Sequence, residues 1–248
     1  MSKPPSAVRY GLARVLSKRG LCSRSEAERW VREGRVRVRG RVVTDPESPT
    51  ALDEPRIEVD GDAAAAVDRV YLALNKPRGL VTSARDERGR DTIYRCLEGL
   101  DLPWVAPAGR LDQASEGLLV LSNDPMFNAL LTEPRTPLHK TYHVQVEGRP
   151  DLALLDQLRG GVIDAGERLA VVSIDVLREG PRNAWLEVVL DEGRNRHIRR
   201  LLKTAELPVM RLLRVAIGPL VLGALAKGEV RVLSAEGVRA LREAAGAA

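Results

Sequence analysis

Gly109-Arg110-Leu111-Asp112 sets a guanidinium and a carboxylate in one short turn. It runs on into Glu116-Gly117-Leu118-Leu119-Val120-Leu121-Ser122-Asn123-Asp124. An apolar run of that length predicts a buried strand, and a buried strand holds the turn ahead of it rigid, which a reactive carboxylate requires. By residue type alone, Asp112 is a turn aspartate whose commonest role is to accept hydrogen bonds from nearby backbone N–H groups. A second group is Lys140-Thr141-Tyr142, where the simplest reading of the strand tyrosine is half-buried packing. The third is Glu192-Gly193-Arg194-Asn195-Arg196-His197-Ile198-Arg199-Arg200. From Arg194 to Arg214 there are seven Lys/Arg and one carboxylate, a surface suited to phosphates.

Other chemistries are set aside by what the sequence lacks. No Gly-rich loop for nucleotide phosphates and no dinucleotide-binding turn occurs. His139, His143 and His197 are not grouped with thiols or carboxylates at metal spacing. Ser115, in Gln-Ala-Ser-Glu-Gly, lacks the first glycine of a nucleophile elbow. Cys22 and Cys96 match no redox or metal pattern and read as reduced thiols. Chemistry without metal or cofactor is therefore expected. Met1 to Gly11 lacks the apolar centre of a signal peptide, and no run is long enough to span a bilayer. A cytoplasmic protein, monomeric and with no membrane partner, is the expectation.

The charge is concentrated. Residues 1–43 hold 12 Lys/Arg and 3 Asp/Glu, whereas the whole chain has a net charge of only +5. The basic segment is patterned rather than tail-like. Leu12, Val15 and Leu16 recur at helical spacing, and Gly20 ends that helix. Ser23 and Glu26 form a capping box before a second helix, which Gly34 stops. Arg35-Val36-Arg37-Val38-Arg39 then alternates as a strand, with Gly40 offering a hairpin turn. Arg14, Lys18, Arg19, Arg24, Arg35, Arg37 and Arg39 are thereby expected on RNA-facing surfaces. Residues 9–61 form this small domain, with Ile57-Glu58-Val59-Asp60-Gly61 as its last strand. Residues 62–69 read as an Ala-rich linker.

Residues 70–240 read as a second domain of α+β class, mainly antiparallel, because strands outnumber interleaved helices. Strands are expected at Val70 to Asn75, Leu118 to Leu121, Tyr142 to Val146, Leu169 to Val176, Trp185 to Leu190 and Arg211 to Ile217. Helices are expected from Asp124-Pro125, over Asp151 to Arg159, and within Gly193 to Thr204. The Ala-rich C-terminal end is read as low in complexity.

These motifs, in this order, resemble the RNA pseudouridine synthases of the RsuA/RluB/RluE type. The wording around Leu21-Cys22-Ser23-Arg24-Ser25-Glu26-Ala27-Glu28 resembles the αL RNA-binding domain named after ribosomal protein S-four. The resemblance implies that Asp112 attacks the target uridine, that Tyr142 stacks on the uracil, and that Arg199 pairs with the carboxylate. Arg196 could exchange places with Arg199. It further implies that Arg110 contacts RNA phosphate, that Lys76 belongs to the opening Leu-Asn-Lys-Pro motif, and that Leu213 lines the uracil pocket. His197 stands where the family usually has Gln, and Ser115 where it more often has Thr.

The implied activity is isomerisation of one flipped-out uridine in ribosomal RNA, as naked rRNA or within an assembly intermediate. Large-subunit rRNA is favoured by Gly-Arg-Asn-Arg and Ser-Glu-Gly-Leu-Leu-Val-Leu, with small-subunit rRNA as the alternative. A non-catalytic assembly factor is a rival, but it needs no carboxylate among phosphates. A methyltransferase or synthetase would show the nucleotide loops that are missing.

Overall fold

The computed structural model describes residues 8–84, 86–134 and 136–246 and divides into two compact units. The first takes in the chain up to Tyr71, with Leu100–Ala106 and Ser122–Met126; the second holds the rest.

In the first unit the order is β1 (Arg9–Gly11), α1 (Leu12–Lys18), α2 (Arg24–Arg32), β2 (Val36–Val38), β3 (Arg41–Val42), β4 (Pro49–Ala51), β5 (Ile57–Val59) and β6 (Asp62–Ala63). Ser23 caps α2 by accepting from Glu26 N at 3.1 Å. Leu12, Val15, Leu16, Ala27, Val31, Val36 and Ile57 form its core. Strands pair in the order β3-β2-β5-β6. Residues Asp62 and Ala63, expected in the linker, instead pair with Val59 and Glu58. The cause is legible in Asp60-Gly61, both at positive φ, the dipeptide that folds a strand back on itself in a two-residue hairpin. The unit therefore extends past residue 61, and Ala64 is buried in its core.

Arg19 corrects a second expectation. It is 6% exposed, and its guanidinium donates to Leu52 O at 3.1 and 2.9 Å, Ala64 O at 2.6 Å and Glu54 O at 2.5 Å. Burial lowers its pKa, opposed by Glu54 and Asp53. With its donors turned to backbone carbonyls inside the unit, it does not present itself to RNA. It binds the β4–β5 connection and β6 to the end of α1.

The second unit is built from β7 (Tyr71–Lys76), β8 (Ala106–Pro107), β9 (Glu116–Ser122), α3 (Pro125–Thr132), β10 (Lys140–Glu147), α4 (Leu152–Gly160), β11 (Val162–Asp164), β12 (Glu167–Leu169), β13 (Ser173–Glu179), β14 (Asn183–Leu190), α5 (His197–Thr204), β15 (Val209–Ile217), β16 (Leu220–Val221), β17 (Val230–Val232) and α6 (Ala235–Ala244). The main sheet runs β13-β14-β10-β15-β9-β7-β17. Pairing is antiparallel around β10, β14 and β13, whereas β9 and β15 run parallel. The fold is α+β, a small N-terminal unit of two helices and short strands followed by a mixed, largely antiparallel sheet. Every residue of β9 is buried, which is why its sequence is a continuous apolar run rather than an alternation.

Two expectations change. The single strand expected over Leu169 to Val176 is two, because Ala165-Gly166, both at positive φ, turn β12 back on β11 before β13 begins at Ser173. The Ala-rich end is a helix, α6, capped by Ser234, which accepts from Gly237 N at 3.1 Å; it buries Val238 and Leu241. Replacing Arg19 with Ala leaves buried carbonyls without their donors and should cost on the order of 3 kcal/mol. Arg37→Ala, at an exposed site, should stay within about 0.5 kcal/mol. Urea melts of the full chain followed by circular dichroism would separate the two.

Candidate active site

The turn carrying Asp112 is held through its backbone. Thr82 Oγ1 donates to Leu111 O at 2.8 Å and accepts from Leu111 N at 3.3 Å. Lys76 Nζ donates to Asp112 O at 3.2 Å and Ser115 O at 2.8 Å. Gly79 N donates to Gln113 O at 2.8 Å, and Gln113 Nε2 returns a bond to Gly79 O at 3.0 Å. Arg199 Nη2 donates to Ala114 O at 3.2 Å. Each carbonyl from Leu111 to Ser115 thus accepts a hydrogen bond. The donors come from the segment after β7 and from α5. At about 1 kcal/mol net for each bond, the set fixes the loop without engaging the side chain it presents.

The Asp112 carboxylate, half-buried, takes no hydrogen bond or ion pair among the described residues. Charges surround it. Lys76 is fully buried, and its ammonium is pushed down to about 8 by burial, opposed by Asp112, Cys96 and Glu116. Burial also lowers the Arg199 pKa, with Asp112 the chief influence raising it and Arg78 and Arg196 lowering it further. Arg199 therefore acts on Asp112 through space, while its own donors go to Ala114 O and, at 3.4 Å, to Val209 O. Arg196 is exposed and caps α5 in the left-handed region at φ 52°; its carbonyl accepts from Arg200 N at 2.9 Å, and its side chain bonds to no described group. Arg110 and Arg78 are likewise exposed and unpaired among the described residues.

The basic motif divides by role. Arg194 is tied to Glu192 at 2.8 Å and Glu167 at 3.0 Å, and Arg200 to Asp164 at 2.6 Å and Glu167 at 2.5 Å. Those two pin α5 to the β11–β12 hairpin, and they leave Arg196 and Arg199 for the site. His197 is buried with its Nδ1 3.8 Å from Glu192, beyond hydrogen-bond reach, and burial lowers its pKa so that the ring is neutral. Tyr142 is 8% exposed in β10, opposite Val188 and Arg214, and its hydroxyl bonds to no described residue. Arg214 is buried beside it and donates to Leu118 O at 2.7 Å.

Gly117 explains the Glu-Gly pair of the motif. Its φ is +102°, and a Cβ there would meet the Arg214 carbonyl oxygen, with Leu213 Cδ1 at 2.7 Å and Arg214 N at 2.8 Å. Only glycine lets β9 approach β15 this closely, and that approach sets Leu213 beside the strand that follows Asp112. Glu116, 2% exposed, accepts from Arg211 at 2.5 and 3.0 Å and pairs with Lys227 at 2.8 Å, which holds it at about 2.

Sequence reasoning passed over Thr82, Arg78 and Glu116. Arg78 was visible in Lys-Pro-Arg-Gly. A lone threonine and a carboxylate answered from nearly a hundred residues away carry no local signal. In the first unit, Arg24 pairs with Glu28 and Glu47, Arg35 with Asp60, and Arg39 with Glu54. Arg14 and Lys18 lie 5.3 and 4.6 Å from the Tyr10 ring centre, and Arg37 is exposed with one bond to Gly40 O at 3.3 Å.

Residues 70–204 match the RNA pseudouridylate synthase family, more than half of the chain. The chain belongs to that family. Residues 11–49 match the S4 domain. An uncharacterized RNA pseudouridine synthase of Mycobacterium bovis is 38% identical over 251 residues, covering 99% of this chain and 97% of that one. One from Rickettsia typhi is 35% identical over 226 residues, 91% and 92% of the two chains. A crystal structure of a pseudouridylate synthase superposes with a TM-score of 0.65 at 25% identity, over 95% of this chain and all of that one. The protein is an RNA pseudouridine synthase with an N-terminal S4 domain.

Lys76 gives the pH dependence a sign. Its folded value of about 8 lies below the ordinary 10.5, so between these values the unfolded chain binds more protons and this group's contribution to stability rises with pH. Activity should nonetheless fall as pH passes about 8, because the loop then loses its cationic donor. Initial rates alongside thermal melts across that range would show activity lost while the fold persists.

Proposed function

We propose that this synthase modifies one uridine of ribosomal RNA, with Asp112 as its nucleophile. The observation that carries this reading is the Asp112 loop itself. All five carbonyls are bonded while the carboxylate is left free near the half-buried guanidinium of Arg199. A structural turn aspartate would instead spend its carboxylate on backbone N–H groups.

In the proposed reaction the carboxylate of Asp112 attacks the uridine and releases the uracil from its C–N glycosidic bond. The base turns, and its C5 bonds to the ribose as the bond to the Asp112 carboxylate breaks and the carboxylate is restored. The C5 proton leaves and N1 gains one, so no redox change or outside reagent is required. Arg199 keeps Asp112 ionised, and its two carbonyl bonds hold it at the right depth. Tyr142 stacks on the uracil and assists proton removal at C5. Arg110, Arg196 and Arg78 hold backbone phosphates around the flipped nucleotide, and Leu213 packs against the base.

Large-subunit rRNA is the favoured substrate, on the wording of the Gly-Arg-Asn-Arg and Ser-Glu-Gly-Leu-Leu-Val-Leu motifs. It would be met naked or in an assembly intermediate, by a cytoplasmic monomer. The S4 domain would dock the RNA through Arg14, Lys18 and Arg37, whose charges are not consumed by internal carboxylates.

The test is a map of pseudouridines across both rRNAs by carbodiimide-dependent reverse-transcription stops, in a host lacking the gene. One stop should vanish and return with the wild-type gene but not with Asp112→Asn, a loss of at least about a thousandfold in rate. An unchanged map would sink the rRNA reading, and restoration by Asp112→Asn would sink the nucleophile.

A further inference from the structure

Along the main sheet, bordering Leu213, lies a cleft whose Trp185 and Arg178 the chemistry above does not use. Along β10, Tyr142, Val144 and Val146 are buried, while His143 alternates to the other side with Leu213 opposite it in β15. The cleft lies on that side, measures about 440 Å³ and is lined by His143, Leu177, Arg178, Trp185, Arg211 and Leu213. The Arg178 and Arg211 guanidiniums lie 5.0 and 5.8 Å from the Trp185 ring centre. Arg211 is fixed by its two bonds to Glu116. That carboxylate is also paired with Lys227, so two cations share one anion and a positive surplus remains. Arg178 is exposed, and its guanidinium has no hydrogen bond or ion pair among the described residues.

An indole, an aliphatic side chain and an uncommitted guanidinium around a small cleft are the parts that hold an unpaired nucleotide. The base stacks or packs on the apolar surfaces, and the phosphate meets the cation. The volume is that of a small-ligand pocket, enough for one nucleotide and too small for a duplex. Leu213 ties the cleft to the reaction, since the close approach at Gly117 sets it beside the strand that follows Asp112.

We propose that this cleft is a subsite for one unpaired nucleotide flanking the target uridine, its base against Trp185 and its phosphate on Arg178, with Leu213 between it and the target base. The proposal rests on the reading in which the flipped uridine reacts at Asp112. Arg178 and Trp185 would then be specificity residues, selecting for sequence context without touching the reacting atoms.

Ultraviolet cross-linking of the full chain to uridine-centred RNA pentanucleotides with randomised flanks, followed by peptide mapping, tests it. Cross-links are expected on the peptide holding Trp185. They should disappear with Arg178→Glu and persist with Asp112→Asn. Their absence from that peptide in the wild-type protein overturns the subsite.

With unmodified rRNA transcripts tritiated at uridine C5, Arg178→Glu should raise KM about tenfold, leave kcat within about twofold, and reduce the salt dependence by about one ion; Arg178→Lys should behave nearly as wild type. A KM unchanged in Arg178→Glu also overturns the proposal. Tritium release by Asp112→Asn would instead strike the catalytic reading, and the cross-links would still report on the subsite.

Discussion

A buried ammonium holds the Asp112 loop of this protein. Lys76 has no solvent of its own, and it answers that loss by donating to Pro77 O, Asp112 O and Ser115 O. Burying a cation is costly, and three carbonyl dipoles offset part of the cost where no carboxylate touches it. This choice leaves the Asp112 carboxylate unclaimed. Had Lys76 paired with Asp112 directly, the negative charge would be spent on structure. Asp112 in turn is the chief influence that raises the pKa of the lysine against its burial.

The same division of labour recurs through the arginines. Arg194, Arg200, Arg211 and Arg39 are each bound to carboxylates, and Arg19 to carbonyls. They fix hairpins, helix ends and strand edges. Arg78, Arg110, Arg196 and Arg37 carry no acidic partner among the described residues. For an enzyme acting on a polyanion, the second group is the one whose charge remains available. Net charge alone conceals this, since a pinned arginine counts as much as a free one.

Much of this was legible in the sequence, and the limits are instructive. Asp112 and its strand were visible because a buried β9 demands a continuous apolar run. The helices of the first unit were visible through Ser23, Gly20 and Gly34. Arg19 was misplaced because its periodicity is indistinguishable from that of a surface arginine at a helix end; three distant carbonyls decide the matter. The turns at Asp60-Gly61 and Ala165-Gly166 were overlooked, although the first is a strong hairpin signal. Glu116 looked like part of a strand entry, and only the answering Arg211 and Lys227 reveal its purpose.

The parallel pairing of β9 with β15 has a consequence for how the molecule comes into being. Leu118 and Arg214 are bonded across 96 residues of chain, and Gly117 must already lie against that distant strand. Closing so long a loop is entropically slow, and the contacts that reward it come last. The turn at Asp112 is tied to Lys76 and Thr82 by comparatively near neighbours in the chain. Leu213 joins it only once β15 has been laid against β9, so the turn can be fixed before the wall beside it exists.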